Sequence, residues 1–406
     1  MTLDTLVLVV FVVVYLGMLL GEIPGLALDR TGVALLGALV LVASERVSPE
    51  AAWRSVDVPT LSLLFGLMVV SAQLRLGGFY TWVTRRIVAA EASPVALIAF
   101  VVAAAGALSA LLANDIVCLA MAPLLVEGCL RRRLHPLPFL LALACASNVG
   151  SAATLIGNPQ NMLIGQALRL SFAGFLKDAL VPALLGLVAV WGLVSLSARG
   201  RWDAAVADAP AVDAPPLNRW QTAKGLLVLA ALVAGFLFSD APHEVLALSG
   251  AALLLMSRRM ASRDLIGLVD WHLLVLFMGL FVVNHAFADA GWAERAGALL
   301  RGAGVDLGNA GVLFAATAAL SNLVSNVPAV MLLLPYASHP LAGPVLALSS
   351  TLAGNLLIVG SIANIIVVEQ AAGCGLRIGW REHARVGVPV TLATLALAAA
   401  WLALRA

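Results

Sequence analysis

The sequence predicts an all-α polytopic membrane protein, built as an inverted repeat of about five spans per half. Three observations carry this. The 406 residues are 62% hydrophobic and only 11% charged, too little charge to cover a soluble domain. Apolar stretches of membrane-spanning length recur from end to end, where a β-barrel would show short alternating segments. The second half also repeats the first at an offset near 213.

The repeat is read from ordered pairs. RTGVALLGALVLVASERV (30–47) aligns with HEVLALSGAALLLMSRRM (243–260), and DVPTLSLLFGLMVVSAQLRLGGF (57–79) with DWHLLVLFMGLFVVNHAFADAGW (270–292). LSALLANDIVCLAMAP (108–123) aligns with LSNLVSNVPAVMLLLP (320–335), and LIGNPQN (155–161) with IVGSIAN (358–364). Apolar residues match easily by chance. Asp57/Asp270, Asn114/Asn326, Pro123/Pro335 and Gly157/Gly360 in one order do not. The first repeat is expected at 1–197, a cytoplasmic linker at 198–221 and the second repeat at 222–406; the segment joining the halves is rich in Pro, Ala and Asp.

Each half is expected to hold three spans, a hairpin, an interrupted span and a closing span. In the first half these fall at 3–20, 31–44, 58–76, 94–130, 137–169 and 179–197. In the second they fall at 222–238, 243–257, 272–288, 308–337, 344–370 and 386–404. The acidic start MTLD has no A-x-A cleavage site, so its apolar run is expected to be a retained span. Asn114-Asp115 separates two apolar arms. A re-entrant hairpin would bury that polar tip in protein, where irregular backbone is tolerated at membrane depth.

The basic residues orient the layout. With both ends of the first hairpin in the cytoplasm, the inner segments hold 17 of the 24 Lys and Arg, among them Arg75, Arg131, Arg201, Arg258 and Arg385. That bias places the inner face. It sets both termini outside in a multi-pass protein of the plasma membrane (the bacterial inner membrane). Five crossings per half, an odd number, turn the second repeat upside down relative to the first, as in many secondary transporters.

The chemistry is expected where spans break. TLIGNPQNMLI (154–164) interrupts an apolar span with Gly157, Asn158, Pro159 and Asn161. Such a break frees carbonyls of one half-helix and N–H groups of the next. The second half-helix presents a partly positive end suited to an oxyanion, and Pro159 suits its first turn. The counterpart break carries Gly360, Ser361 and Asn364. The hairpin tips, Asn114-Asp115 and Ser325-Asn326, complete a candidate substrate site near the midplane. Asp115, Asn114 and Asn326 are the candidate coupling-ion residues. Asp115 faces an apolar counterpart, Val327, and an Asp at a span centre costs about 2.5–3.5 kcal/mol on insertion scales. It is read as a Na⁺ ligand, a proton carrier or a helix cap.

Weaker candidates are Asn284, His285 and Gln73 on the eighth and third spans, and Cys118 one turn from Asn114. Asp57 and Asp270 read as helix caps, and Glu127 and Glu369 as snorkelling or arginine-paired. The four cysteines (Cys118, Cys129, Cys145, Cys374) show no metal or redox spacing. No P-loop, H-E-x-x-H or nucleophile elbow occurs. An enzyme and a nucleic-acid binder are therefore not expected. No cofactor is expected beyond a transported Na⁺ or H⁺, and the expected partners are a small-molecule or ion substrate and the lipid bilayer.

SNVGSAATLIGNPQNMLIG (147–165), LSNLVSNVPAVMLL (320–333) and LAGNLLIVGSIANIIV (352–367) resemble the ion-transporter superfamily. That superfamily contains the arsenite permeases, the NhaD-type sodium/proton antiporters and the citrate and divalent-anion carriers. This sequence is most similar to its general anion-permease members. The resemblance implies two re-entrant hairpins, two unwound helices, elevator-type alternating access and a homodimer. In the dicarboxylate branch each tip carries Ser-Asn-Thr and each break Thr-Pro. Here Ala113-Asn114-Asp115, Ser325-Asn326-Val327, Asn158-Pro159 and Ile362-Ala363 depart from that. The expected function is secondary transport of a small anion or oxyacid, arsenite-like, coupled to H⁺ or the membrane potential. The alternatives are Na⁺/H⁺ antiport and Na⁺-coupled dicarboxylate or citrate symport.

Overall fold

The computed structural model describes residues 3–21, 25, 27–203 and 211–405. Residues 204–210 of the expected linker lie outside the described residues. The first half runs α1 (Leu3–Leu20), α2 (Arg30–Ala43), α3 (Pro49–Ser55), α4 (Val58–Leu76), α5 (Phe79–Ala89), α6 (Pro94–Leu111), α7 (Asn114–Arg131), α8 (Leu137–Ser151), α9 (Pro159–Ala167) and α10 (Phe172–Ser197). The second runs α11 (Arg219–Phe238), α12 (His243–Leu255), α13 (Ser262–Ile266), α14 (Trp271–Asp289), α15 (Trp292–Gly302), α16 (Ala310–Val324), α17 (Asn326–Leu333), α18 (Ala342–Ala353), α19 (Ile362–Gly373) and α20 (Trp380–Arg405).

Six of these helices are long and apolar enough to cross a bilayer. Leu184, Val188 and Leu196 on α10, and Val13 and Leu16 on α1, leave large apolar side chains on the outside. In water such a surface would drive aggregation; in lipid it is the solvated face. The chain is therefore a multi-pass membrane protein.

Sequence signals start the helices where expected. Asp57 caps α4 by accepting from the Thr60 amide at 3.2 Å, and Asp270 caps α14 from Leu273 at 3.0 Å. Four short helices, α3, α5, α13 and α15, were not expected. Arg85 and Arg86 in α5, and Glu294, Arg295 and Arg301 in α15, interrupt the apolar runs by which spans are recognised. Both α5 and α15 start after a left-handed glycine, Gly78 (φ 75°) and Gly291 (φ 73°). There the chain leaves a span and turns into an amphipathic arm. The closing helices α10 and α20 begin six or seven residues before the expected 179 and 386, because their first turns carry charge (Lys177, Asp178; Arg381, Glu382, Arg385).

Packing exchanges partners between the halves. Helix α2 lies on α14, and α4 on α12. Both crossings are made close by a glycine. A Cβ on Gly66 would sit 2.6 Å from the Ala247 backbone, and one on Gly279 would sit 2.7 Å from that of Ala34. Helix α1 joins these helices on α2 and α14, and α11 on α12 and α4; in a second group α6 packs on α8, α16 on α18, α7 on α19 and α10 on α20.

Replacing Gly279 with Val forces α2 and α14 apart. It should cost about 1–3 kcal/mol or more by overpacking, read as a lowered unfolding midpoint in detergent. Gly192, whose Cβ would meet nothing within 4 Å, should accept Ala with no loss.

Candidate functional site

The first hairpin joins α6 to α7 through Leu112 and Ala113 alone. Its tip reaches the gap between α8 and α9, where residues 152–158 leave helical geometry. The gap is held from both sides. The Thr154 hydroxyl donates to the Ala110 carbonyl at 2.5 Å, and Ser109 and Ser147 share a hydrogen bond of 3.0 Å. Gly157 threads between these walls. A Cβ there would lie 2.2 Å from the Ser151 oxygen and 2.8 Å from that of Ser109.

Helix α9 starts at Pro159, with Asn158 as its cap accepting from the Asn161 amide at 2.9 Å. The Asn161 side chain then reaches back. Its Nδ2 donates to the carbonyls of Thr154 (2.9 Å) and Ser151 (3.3 Å), which the break had freed. The second break repeats the device: Asn364 Nδ2 donates to the carbonyls of Gly354 (2.8 Å) and Leu357 (3.1 Å).

The second hairpin turns on one residue, Ser325, at φ 74°. A non-glycine residue held there is strained, and the backbone around it is tied down. Ser321 Oγ donates to the Ser350 carbonyl at 2.9 Å and touches the Asn326 amide. With its nitrogen turned to the acceptors, Asn326 donates to the Ser350 (3.1 Å) and Gly360 (3.2 Å) carbonyls and accepts from Gln160 Nε2 (3.2 Å).

One side chain joins the first tip to the second break. Asn148, at the end of α8, donates from Nδ2 to Asn355 Oδ1 (2.8 Å) and Asn364 Oδ1 (3.1 Å). Its Oδ1 accepts from Ser361 Oγ (2.8 Å) and, at 3.5 Å, from Asn114 Nδ2. Thr351 has the corresponding role in α18. Its hydroxyl oxygen accepts from Asn158 Nδ2 (3.2 Å) and Gln160 Nε2 (3.1 Å). Asn114 Oδ1 and Asn161 Oδ1 are buried and have no donor among the described residues.

Asp115 points elsewhere. It is half-buried on a cavity of about 190 Å³ that Arg75, Asp270, Asn158, Pro159 and Ala113 also line. Neither carboxylate is within ion-pair distance of Arg75.

The structure thus brings together Asn114, Gly157, Asn158, Pro159, Asn161, Asn326, Gly360, Ser361 and Asn364, with Ser325 at the second tip. Asp115 faces the adjoining cavity. Asn284 lies apart: its Oδ1 accepts from the Tyr15 hydroxyl at 2.9 Å. Gln73 bonds Gln221. Glu127 pairs with Arg131 at 2.6 Å. Asn148, Thr351, Asn355, Gln160, Ser147 and Arg75 were not singled out from sequence. The polar steps Ser147-Asn148 and Ser350-Thr351, placed alike before each break, were the available signal. Replacing Asn148 with Ala strands three buried polar groups and should cost about 3 kcal/mol or more at roughly 1–3 per group, read by unfolding in detergent. Ser349→Ala, which removes a hydroxyl bonded within its own helix, should cost under about 1 kcal/mol.

The chain matches the family model described as "CitMHS: Citrate transporter" over residues 6–345. An uncharacterized transporter of Mycobacterium tuberculosis is 30% identical, covering 93% of this chain and 94% of its own. The silicon efflux transporter LSI3 of Oryza sativa subsp. japonica is 28% identical, covering 93% of each. The crystal structure of the Alcanivorax borkumensis YdaH transporter shares the fold, with a TM-score of 0.57 and 18% identity over 98% of this chain and 97% of that one. A site of facing hairpin tips and helix breaks, in a multi-pass helical chain with these relatives, identifies a membrane transporter: the chain belongs to the CitMHS family of the ion-transporter superfamily.

Proposed function

We propose that this chain is a secondary active carrier for a small, weakly charged oxyacid of the arsenite kind, coupled to H⁺ or the membrane potential. The site's polarity carries the reading. Breaks and tips offer amides, hydroxyls and four helix N-termini, of α7, α9, α17 and α19, but no lysine or arginine. Asn114 Oδ1 and Asn161 Oδ1 are buried acceptors without donors. A neutral hydroxy acid brings O–H donors to such oxygens and lets helix ends and amides face its own oxygens. Citrate brings three carboxylates. The nearby guanidinium, Arg75, shares its cavity with Asp115 and Asp270. The relationship to a silicon efflux transporter adds support, since silicic acid is an uncharged hydroxy acid near neutral pH.

The halves are proposed to be inverted repeats, 1–197 and 222–406, joined by a cytoplasmic linker at 198–221, with the hairpins re-entrant and both termini outside. Glycine-tight α2–α14 and α4–α12 crossings suit a rigid frame. The hairpins, broken helices, α10 and α20 suit a body that carries the site past it. The arms α5 and α15 join the two in an elevator movement. We expect a homodimer in the plasma membrane.

A second reading has its own support: Asp115 and Asp270 line one cavity, as Na⁺/H⁺ antiport would use. The readings separate on Asp115→Asn. Under oxyacid transport, arsenite flux into proteoliposomes down its own gradient persists and only proton coupling is lost. Under antiport, Na⁺-driven proton movement vanishes and no arsenite flux exists to persist.

Arsenite, antimonite and silicic acid should each raise the unfolding midpoint of the purified protein at millimolar levels, because a ligand of the folded state stabilises it by mass action. Sulfate, citrate and succinate should not. Stabilisation by citrate or succinate alone would overturn the assignment. Asn114→Ala and Asn161→Ala should each weaken arsenite binding about tenfold, the worth of one hydrogen bond.

A further inference from the structure

A second cavity lies away from the breaks. It holds about 520 Å³ and opens where α8 begins, α10 ends and α20 begins. Its titratable lining is Arg201, Arg381, Arg385, His135, Asp203 and Glu382. None of the three arginines has a carboxylate within ion-pair distance among the described residues. Three guanidiniums against two carboxylates leave one positive charge, which a single phosphodiester would neutralise. The volume falls in the range of small-ligand pockets, roughly 300–1,000 Å³.

The floor of the cavity is apolar. Leu141 on α8, Val194 on α10 and Val386 on α20 face it, and each helix continues into the spanning body. Trp380 is 70% exposed at the rim, with the Arg381 guanidinium 5.2 Å from the centre of its ring. An exposed Trp beside arginines marks the headgroup level of a bilayer. Leu196 and Val188, 55% and 60% exposed, lie on the face of α10 turned away from the cavity, so that helix also borders lipid. A free anion would use the basic rim alone. A lipid would use both rim and floor.

We propose that this cavity is a binding site for an anionic phospholipid, with the phosphodiester among Arg201, Arg381 and Arg385 and the acyl chains along the α8–α10–α20 floor. Basic pockets between helices on the cytoplasmic side take lipid headgroups by this chemistry. The site belongs to neither break nor tip. Helices α10 and α20 pack on α8 and α18, so a lipid here braces the half-helices that end at the breaks.

The test uses the full chain, purified in detergent and stripped of lipid. Unfolding is followed with dihexanoyl-phosphatidylglycerol, dihexanoyl-phosphatidylcholine or glycerol 3-phosphate. The phosphatidylglycerol should stabilise at concentrations roughly tenfold or more below the phosphatidylcholine, since each surface Arg adds about that order of attraction. The triple variant R201Q/R381Q/R385Q should abolish the difference, whereas R258Q/R259Q, basic residues outside the cavity, should keep it. Equal effects of the two lipids, or an unchanged triple variant, would overturn the site. Stabilisation by glycerol 3-phosphate equal to that by phosphatidylglycerol would assign a free anion instead. Should the triple variant fail to fold, D203N/E382Q decides: removing the opposing carboxylates should tighten phosphatidylglycerol binding severalfold, and no change refutes the proposal.

Discussion

Two helices stop inside an apolar body, and their loose backbone groups must be satisfied there. Each group left unpaired in such surroundings costs several kcal/mol. Much of the central architecture answers this demand. Asn161 and Asn364 return, ten residues on, to the carbonyls their own breaks released. The hairpins bring more partners: Thr154 reaches the Ala110 carbonyl from the first break, and Asn322 reaches the Ala353 carbonyl before the second. A hairpin tip and a helix break are therefore one structural unit. Neither could lie at depth without the other.

Each half carries a hairpin tip packed on a helix break, and the two units are unequal. Asn148 and Thr351 hold matching places before the breaks. Asn148 is long enough to donate to Asn364 across the pseudo-symmetric centre and also ties Asn355 and Ser361. Thr351 has a shorter arm. Its oxygen accepts from Asn158 and Gln160, and Asn161 Oδ1 is left without a donor. The tips diverge in parallel. Asp115 is half-buried on a cavity beside Arg75 and Asp270, whereas its counterpart Val327 is buried. The carboxylate lies on the first-half side, while acceptors without a donor among the described residues occur on both sides, at Asn114 and Asn161 and at Asn322. A transporter needs such a difference to tell one ligand orientation, or one coupling ion, from another.

The helices around this core bear different loads. Gly66 and Gly279 bring α4 onto α12 and α14 onto α2, at backbone distances that no larger residue allows. Tyr15 on α1 bonds Asn284 on α14, joining first and second halves there. Alongside, α10 and α20 press on the first half-helices and frame the basic cavity at their ends. Close glycine crossings also occur in the group that carries the breaks, where a Cβ on Gly150 of α8 would lie 2.3 Å from the Gly106 backbone of α6.

Much of the fold was legible in the sequence, because lipid imposes long apolar runs and any interruption of them stands out. TLIGNPQNMLI and VGSIANI, the Asn114 and Asn326 tips, and the caps at Asp57 and Asp270 were all readable in one dimension. The amphipathic arms α5 and α15 were not, since their charges erase the apolar run while their helical period persists. Nor could residue order reveal that Asn148 is the junction of the two halves. Its partners Asn355, Ser361 and Asn364 lie more than two hundred positions away, and only packing chooses among many polar side chains. By itself the sequence determined where the helices break, because glycine, proline and missing apolar side chains act locally. The tertiary structure decided which freed groups the protein itself pairs and which it leaves unpaired, because hydrogen bonding is settled by proximity in space.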